Sequence, residues 1–191
     1  MSKTAVIFPG LGYYVDRPLL YYASKLAVNA GYEIVKIDYP GCSRDLLKAS
    51  KEELKEYSLT CVKEAIAVLK ENGVSPGDDL LFISKSIGTG IAAACSAAYA
   101  GRVRHIYFTP LEQTFDHVYP GSGIAFNGTK DTWADWEKVS SLCKEKDIPL
   151  MTFEGANHSI ETGNVTDDIG NLQKIMSVVE EYIKSKTYPK L

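Results

Sequence analysis

The sequence predicts an α/β fold: a three-layer, doubly wound sheet of about six parallel strands with helices on both faces. Three observations lead there. Short apolar runs alternate with longer amphipathic stretches along the chain, the pattern of strands joined by right-handed helical crossovers. The run Leu80-Leu81-Phe82-Ile83 is apolar without a break, as a strand buried on both faces must be. Beyond it, Ile91 to Ala100 is Ala-rich and free of Gly and Pro, so Ser86 sits where strand chemistry changes to helix chemistry.

The elements follow in order. Ala5-Val6-Ile7-Phe8 reads as the first strand, ended by Pro9-Gly10-Leu11-Gly12. A helix is expected from Arg17-Pro18 to Asn29, with Asp16 as N-cap, Pro18 in the first turn and Leu19, Leu20, Ala23, Leu26 and Ala27 on one face. Glu33 to Tyr39 is a second strand, closed by Pro40-Gly41. Ser50-Lys51-Glu52-Glu53 is a capping box opening a long helix that stops at Asn72-Gly73 and turns Leu54, Tyr57, Cys61, Ala65, Val68 and Leu69 inward. After the strand through Leu80 and its helix, Gly101 precedes a fourth strand, Val103 to Phe108, and Ile124 to Gly128 is a fifth. A helix from Trp133 to Glu145, a sixth strand Leu150 to Phe153 and a final helix from Asp168 to Ser185 complete the pattern.

A chain of 191 residues without linkers or repeats fits one domain, residues 1–191. Its net charge of −3 gives no basic footprint, so nucleic acid and anionic membrane surfaces are poor partners and a small-molecule substrate is expected. Met1-Ser2-Lys3-Thr4 runs straight into the first apolar stretch, with no signal-peptide core and no membrane-spanning run, which points to the cytoplasm; a monomer or homodimer is expected, with no sequence feature choosing between them. Cys42, Cys61, Cys95 and Cys143 are scattered without metal-ligand spacing and read as buried or neutral thiols. No metal and no cofactor is expected.

Ser84-Lys85-Ser86-Ile87-Gly88 has the form of a nucleophile elbow, a strained strand-to-helix turn that lifts a serine hydroxyl out of the sheet. Gly88 is the small residue such a turn needs, and Ser84 stands where the G-x-S-x-G pattern has glycine. Phe126-Asn127-Gly128-Thr129-Lys130-Asp131 ends a strand in a turn and an acid. Phe153-Glu154-Gly155-Ala156-Asn157-His158 ends another in small residues and a histidine. In these three stretches the chain resembles the α/β-hydrolase superfamily, as a small, lidless serine hydrolase lacking the first two strands.

The resemblance implies a Ser-Asp-His triad: Ser86 as nucleophile, His158 as base and Asp131 as the acid that orients it, in the chain order that fold uses. Asp135 is a weaker choice, expected inside the helix that Asp131 could itself cap. A serine hydroxyl is a weak nucleophile near neutral pH, so it needs that base within hydrogen-bond reach. His105 lies in a buried strand and reads as a core residue; His117 lies in a loop ahead of Asp131. For the oxyanion hole, the Ile87 N–H opens the helix after the nucleophile, and the resemblance places a second donor, the Leu11 N–H, after the first strand, with Gly12 permitting close approach.

Gly12, Tyr13, Tyr14, Phe115, His117 and Tyr119 are candidates for lining the pocket, while alternation along the strand turns Lys85 away from it. Gly10-Leu11-Gly12 also opens a dinucleotide fingerprint, but Val15 stands at its third glycine and no Walker-A Gly-Lys-Ser/Thr is present. The segment from Thr109 to Ser122 is too short for a helical lid. The function so implied is hydrolysis of a small ester or thioester through a covalent acyl-enzyme, carboxylesterase-like. Peptide, amide or lactone hydrolysis, or a non-catalytic scaffold that keeps the fold, are the alternatives.

Overall fold

Continuous apolar strands need cover on both sides, and the helices of the chain supply it. The computed structural model describes residues 2–41, 46, 48–99 and 103–185; Cys42, Ala100 and Gly101 lie outside the described residues. The strands are β1 (Lys3–Phe8), β2 (Glu33–Lys36), β3 (Asp79–Lys85), β4 (Val103–Phe108), β5 (Gly123–Gly128) and β6 (Leu150–Phe153). They form one sheet in the order β2-β1-β3-β4-β5-β6, and every pairing is parallel. The helices are α1 (Pro18–Asn29), α2 (Lys51–Glu71), α3 (Ile87–Ser96), α4 (Trp136–Glu145) and α5 (Val165–Ser185).

Alternation along the strands divides the core in two. Ala5, Ile7, Leu81, Ile83, Ile106 and Phe108 point to one face, where Leu20, Ala23 and Ala27 of α1 and Ile175, Val179 and Ile183 of α5 cover them. Val6, Phe8, Leu80 and Phe82 point to the other, against Cys61, Ala65 and Leu69 of α2 and Ile91 and Cys95 of α3. Val139 and Cys143 of α4 continue that second layer over Tyr107 and Ala125. Crossovers running from β2 toward β6 place their helices on the second face; the reverse step from β1 to β2 places α1 on the first, as a right-handed rule requires. Among the described residues no helix is long and apolar enough to cross a membrane.

Element ends differ from expectation where an unforeseen group supplies the hydrogen bond. The cap of α1 is Arg17, not Asp16: the Leu19 N–H is taken by the Tyr13 hydroxyl at 3.2 Å, so no carboxylate is needed. The strand β2 stops at Lys36, although the Ile37 N–H still donates to the Ile7 carbonyl at 3.0 Å. Asp135 does not lie within α4 but caps it, accepting from the Glu137 and Lys138 N–H groups at 3.0 and 3.3 Å, so the helix starts at Trp136 rather than Trp133. Asn164 accepts from the Thr166 and Asp167 N–H groups at 3.0 and 3.3 Å, which starts α5 at Val165, ahead of Asp168. The Ser50 capping box on α2 is complete.

The approach of α3 to β1 is set by Gly88. A Cβ there would lie 2.3 Å from the Pro9 carbonyl oxygen and 2.5 Å from that of Phe8, both backbone atoms that cannot step aside. Gly88→Ala is therefore expected to lower stability by about 2–3 kcal/mol, read as a lower urea midpoint at unchanged m-value. Gly77→Ala, whose added carbon meets only Ser75 Oγ at 3.9 Å, is the control expected to stay near wild type.

Candidate active site

The strand order reverses between β1 and β3, which are neighbours although β2 separates them in sequence. In such a sheet the loops beyond the carboxyl ends of these two strands diverge and leave a crevice. Ser86 stands at the end of β3 on one side of it, and Gly10 to Tyr13 follow β1 on the other.

Ser86 has φ 55° and ψ −127°, in the left-handed region that non-glycine residues rarely occupy. Its N–H donates to the Phe108 carbonyl at 3.0 Å, and its own carbonyl accepts from the Thr89 N–H at 2.9 Å and the Thr89 hydroxyl at 2.6 Å. These bonds grip the turn from β4 and from inside α3. Ser84, in the place of a glycine, is wholly buried and donates its hydroxyl to the Ile106 carbonyl at 3.2 Å. The extra hydroxyl thus has a partner in the neighbouring strand.

Two further loops bring groups to Ser86. His158 Nε2 lies 2.8 Å from Ser86 Oγ, and His158 Nδ1 lies 2.7 Å from Asp131 Oδ2. The other carboxylate oxygen, Oδ1, accepts the Trp133 N–H at 2.8 Å, a turn within the loop rather than a helix cap. Backbone bonds tie the two loops together: the Thr129 and Lys130 N–H groups donate to the Phe153 and Ala156 carbonyls at 3.0 and 2.9 Å, and the Gly155 N–H donates to Thr129 Oγ1 at 2.8 Å. Asn157 closes the histidine turn, its Oδ1 accepting from Ser159 and Glu161 at 2.7 and 3.2 Å.

The charges follow from burial. The Asp131 side chain is 0% exposed. Its burial pushes the carboxyl pKa up, but the His158 hydrogen bond and charge, the Trp133 N–H and the Lys85 ammonium together outweigh that and hold it below the usual value. The acid is therefore ionised and can only accept, so the proton between it and His158 sits on Nδ1, leaving the Nε2 lone pair for the Ser86 hydroxyl. Burial lowers the pKa of His158, and Lys85 lowers it further, against the hydrogen bond and charge of Asp131. The imidazole is a neutral acceptor at neutral pH. A neutral imidazole on a serine hydroxyl, backed by a carboxylate, can take up the serine proton as the oxygen attacks.

Solved structures of known proteins share this architecture. A serine hydrolase without a lid from Xanthomonas campestris superposes with a TM-score of 0.70 at 13% identity, covering 100% of this chain and 86% of that one. Est1E from Butyrivibrio proteoclasticus, bound to ferulic acid, gives a TM-score of 0.71 at 11% identity over 96% of this chain and 88% of that one. Esterase 2 of Thermogutta terrifontis, phosphorylated by paraoxon, gives 0.63 at 19% identity over 100% and 85%. The chain has the α/β-hydrolase fold. No protein-family model and no curated protein matches its sequence.

Within the α/β-hydrolase fold the remaining candidates fall in different places. Ile87 is the first residue of α3, so its N–H has no acceptor within the helix. Leu11 lies on the loop that Gly10 and Tyr13 close with reciprocal backbone bonds of 3.1 and 3.3 Å. The close approach in that loop belongs to Gly10, not Gly12: a Cβ on Gly10 would come within 3.1 Å of Ser86 Cβ, whereas one on Gly12 would meet nothing within 4 Å. Gly12 is needed instead for its φ of +70°.

Several expected lining residues do not face the crevice. Tyr13 is held beneath the loop, its hydroxyl on the α1 N-terminus and its ring under the Lys85 ammonium. Phe115 is packed in the core with Tyr107 and Ala125. Tyr119 lies at the opposite edge of the sheet, where its carbonyl accepts the Ser122 N–H just before β5, because a parallel strand forces the chain back to the amino edge. His117 is exposed at the end of the 3₁₀ turn Glu112–Asp116, and Tyr14 is exposed beside the β1 loop. His105 is a core residue, stacked on Tyr107 and paired through Nε2 with Ser96 Oγ at 2.7 Å; burial pushes its pKa down to about 3.

Cys61, Cys95 and Cys143 are buried free thiols, and burial raises Cys95 and Cys143 to about 12. Among the described residues no group of three or more His, Cys, Asp or Glu side chains is placed to hold a metal ion. Trp133 is the residue the sequence reading did not place at the site. It is 50% exposed, with its ring 6.1 Å from that of His158, and only its position two residues after Asp131 could have marked it.

The direction of the histidine shift is measurable without substrate. The C2 proton of His158 is expected to titrate below the ordinary value of 6.5 by NMR. In Asp131→Asn the two influences that raise it are gone while burial remains, so the titration moves lower still. An unchanged or raised midpoint in that variant contradicts the assignment.

Proposed function

We propose that the protein is a serine hydrolase that cleaves a small ester or thioester through a covalent acyl-enzyme. The observation that carries the reading is the unbroken relay from Ser86 Oγ through the two nitrogens of His158 to Asp131, with links of 2.8 and 2.7 Å. Its members come from loops after three different strands, so no local packing reason brings them together.

In this reading His158 Nε2 removes the Ser86 proton as Oγ attacks the acyl carbon. Asp131 holds the Nδ1 tautomer and stabilises the imidazolium that forms. The carbonyl oxygen, now an anion, is received by the Leu11 and Ile87 N–H groups, the second of them at the positive end of α3. Collapse of the tetrahedral intermediate expels the alcohol or thiol, which takes the proton from His158. Water then repeats the sequence on the acyl-serine, with His158 again as base, and releases the acid.

Substrate size follows from what covers the crevice. Between β4 and β5 the chain makes one 3₁₀ turn, with no helical lid among the described residues to enclose a long acyl chain. The exposed Trp133 ring beside His158 offers an aromatic wall at the mouth. The likeness to esterases and to a lidless serine hydrolase supports the same class.

A chain-length series of p-nitrophenyl esters tests this. The acetate and butyrate are expected to be hydrolysed and the palmitate not; Ser86→Ala and His158→Ala are each expected to lower kcat/KM by about 10³-fold or more. A preference for the long chain, or full activity in Ser86→Ala, contradicts the reading.

A further inference from the structure

Lys85 is a full-length lysine with 0% of its surface exposed, next to the proposed nucleophile, and no step above uses it. A buried ammonium loses its hydration, so a position that needed only volume would be filled as well by methionine. Along β3 the side chains of Leu81, Ile83 and Lys85 fall on the α1 and α5 face, the face over which the histidine loop closes with Ala156 and Ile160. The ammonium ends between the β1 loop and the end of β4. Its Nζ is 2.5 Å from Thr109 Oγ1, on the residue after β4, and 5.1 Å from the centroid of the Tyr13 ring in the β1 loop.

The groups that act on it come from every side. Asp131 after β5 and Glu161 after β6 favour its protonated form, and its charge acts in turn on His158. Tyr13, itself influenced by Arg17 and Glu161, has a phenol pushed up to about 12 by burial and stays neutral.

We propose that Lys85 is a positioning residue of the Ser86–His158–Asp131 relay. Its ammonium joins the β1 loop, through Tyr13, to the end of β4, through Thr109, and its positive charge adds to burial in disfavouring the imidazolium of His158. This rests on the serine-hydrolase reading for its catalytic consequence, though not for the electrostatic effect itself. Like charges disfavour each other, the more so when one of them is buried, so charged Lys85 makes His158 harder to protonate. Burial brings Lys85 down to about 7, against the pull of Asp131 and Glu161, so it carries its charge on the acid side, where an unshielded imidazole would be lost as a base. On the alkaline side Lys85 is neutral and no longer opposes the imidazolium that forms during attack.

Lys85→Met removes the charge and keeps most of the volume. The acid limb of kcat/KM for p-nitrophenyl acetate is expected to move up by roughly half to one pH unit, with KM little changed. The His158 C2 proton in a Ser86→Ala background is expected to move the same way. Thr109→Val, which leaves the lysine but removes its hydrogen-bond partner, is expected to shift both in the same direction by less. It decides the matter if the methionine variant does not fold. Folded variants whose acid limb and imidazole titration both coincide with those of the parent overturn the proposal. The NMR titration needs no turnover, so a wild type without esterase activity refutes the serine-hydrolase reading while leaving Lys85 still testable.

Discussion

The strained backbone of Ser86 is the constraint on which the rest depends. A serine with positive φ costs on the order of 1–3 kcal/mol, which the surrounding structure has to hold in place. It does so with the Phe108 carbonyl on the Ser86 N–H, with both donors of Thr89 on the Ser86 carbonyl, and with a helix that reaches β1 only because residue 88 has no side chain. The gain from this arrangement is positional. The side chain of the last strand residue turns down into a core face, and the next one is lifted clear of the sheet toward loops that carry the other two members of the relay.

Those loops are rigid for reasons of their own. Backbone bonds run from the Asp131 turn to the carboxyl end of β6 and the loop after it, and Asn157 folds the histidine loop on itself, with buried Ile160 anchoring its far side. A carboxylate whose side chain is wholly enclosed stays ionised because it accepts from His158 and from the Trp133 N–H. The charge on one side then fixes the tautomer on the other. Geometry and electrostatics thus agree on which nitrogen faces the serine.

Much of this is legible in the sequence. The apolar runs of β3 and β4, the Ser50 capping box and the glycine after the elbow serine each carry a local signal strong enough to place them. For Asp131 and His158 the local pattern is weaker, and it is the resemblance to the α/β-hydrolase superfamily that singles out the pair. What escapes is set by contacts distant along the chain. Asp16 is a good cap by local rules, yet the Tyr13 hydroxyl takes the first-turn N–H. Asp131 and Asp135 compete for one helix start, and only the fold directs the first to histidine and the second to the cap. Alternation turns Lys85 away from the pocket, yet its ammonium ends beside Thr109 and over the Tyr13 ring and acts on Asp131 and His158, because the histidine loop closes over the face it enters. Phe115 and Tyr119 lie on a connection whose path back to the amino edge of the sheet is invisible to pattern alone.

The most direct test of the central claim is mass mapping after reaction with a fluorophosphonate. One adduct per chain is expected, on the peptide carrying Ser86, with labelling abolished in Ser86→Ala and slowed in His158→Ala. Absence of any adduct on the folded wild type, or an adduct on another residue that persists in Ser86→Ala, would contradict the account.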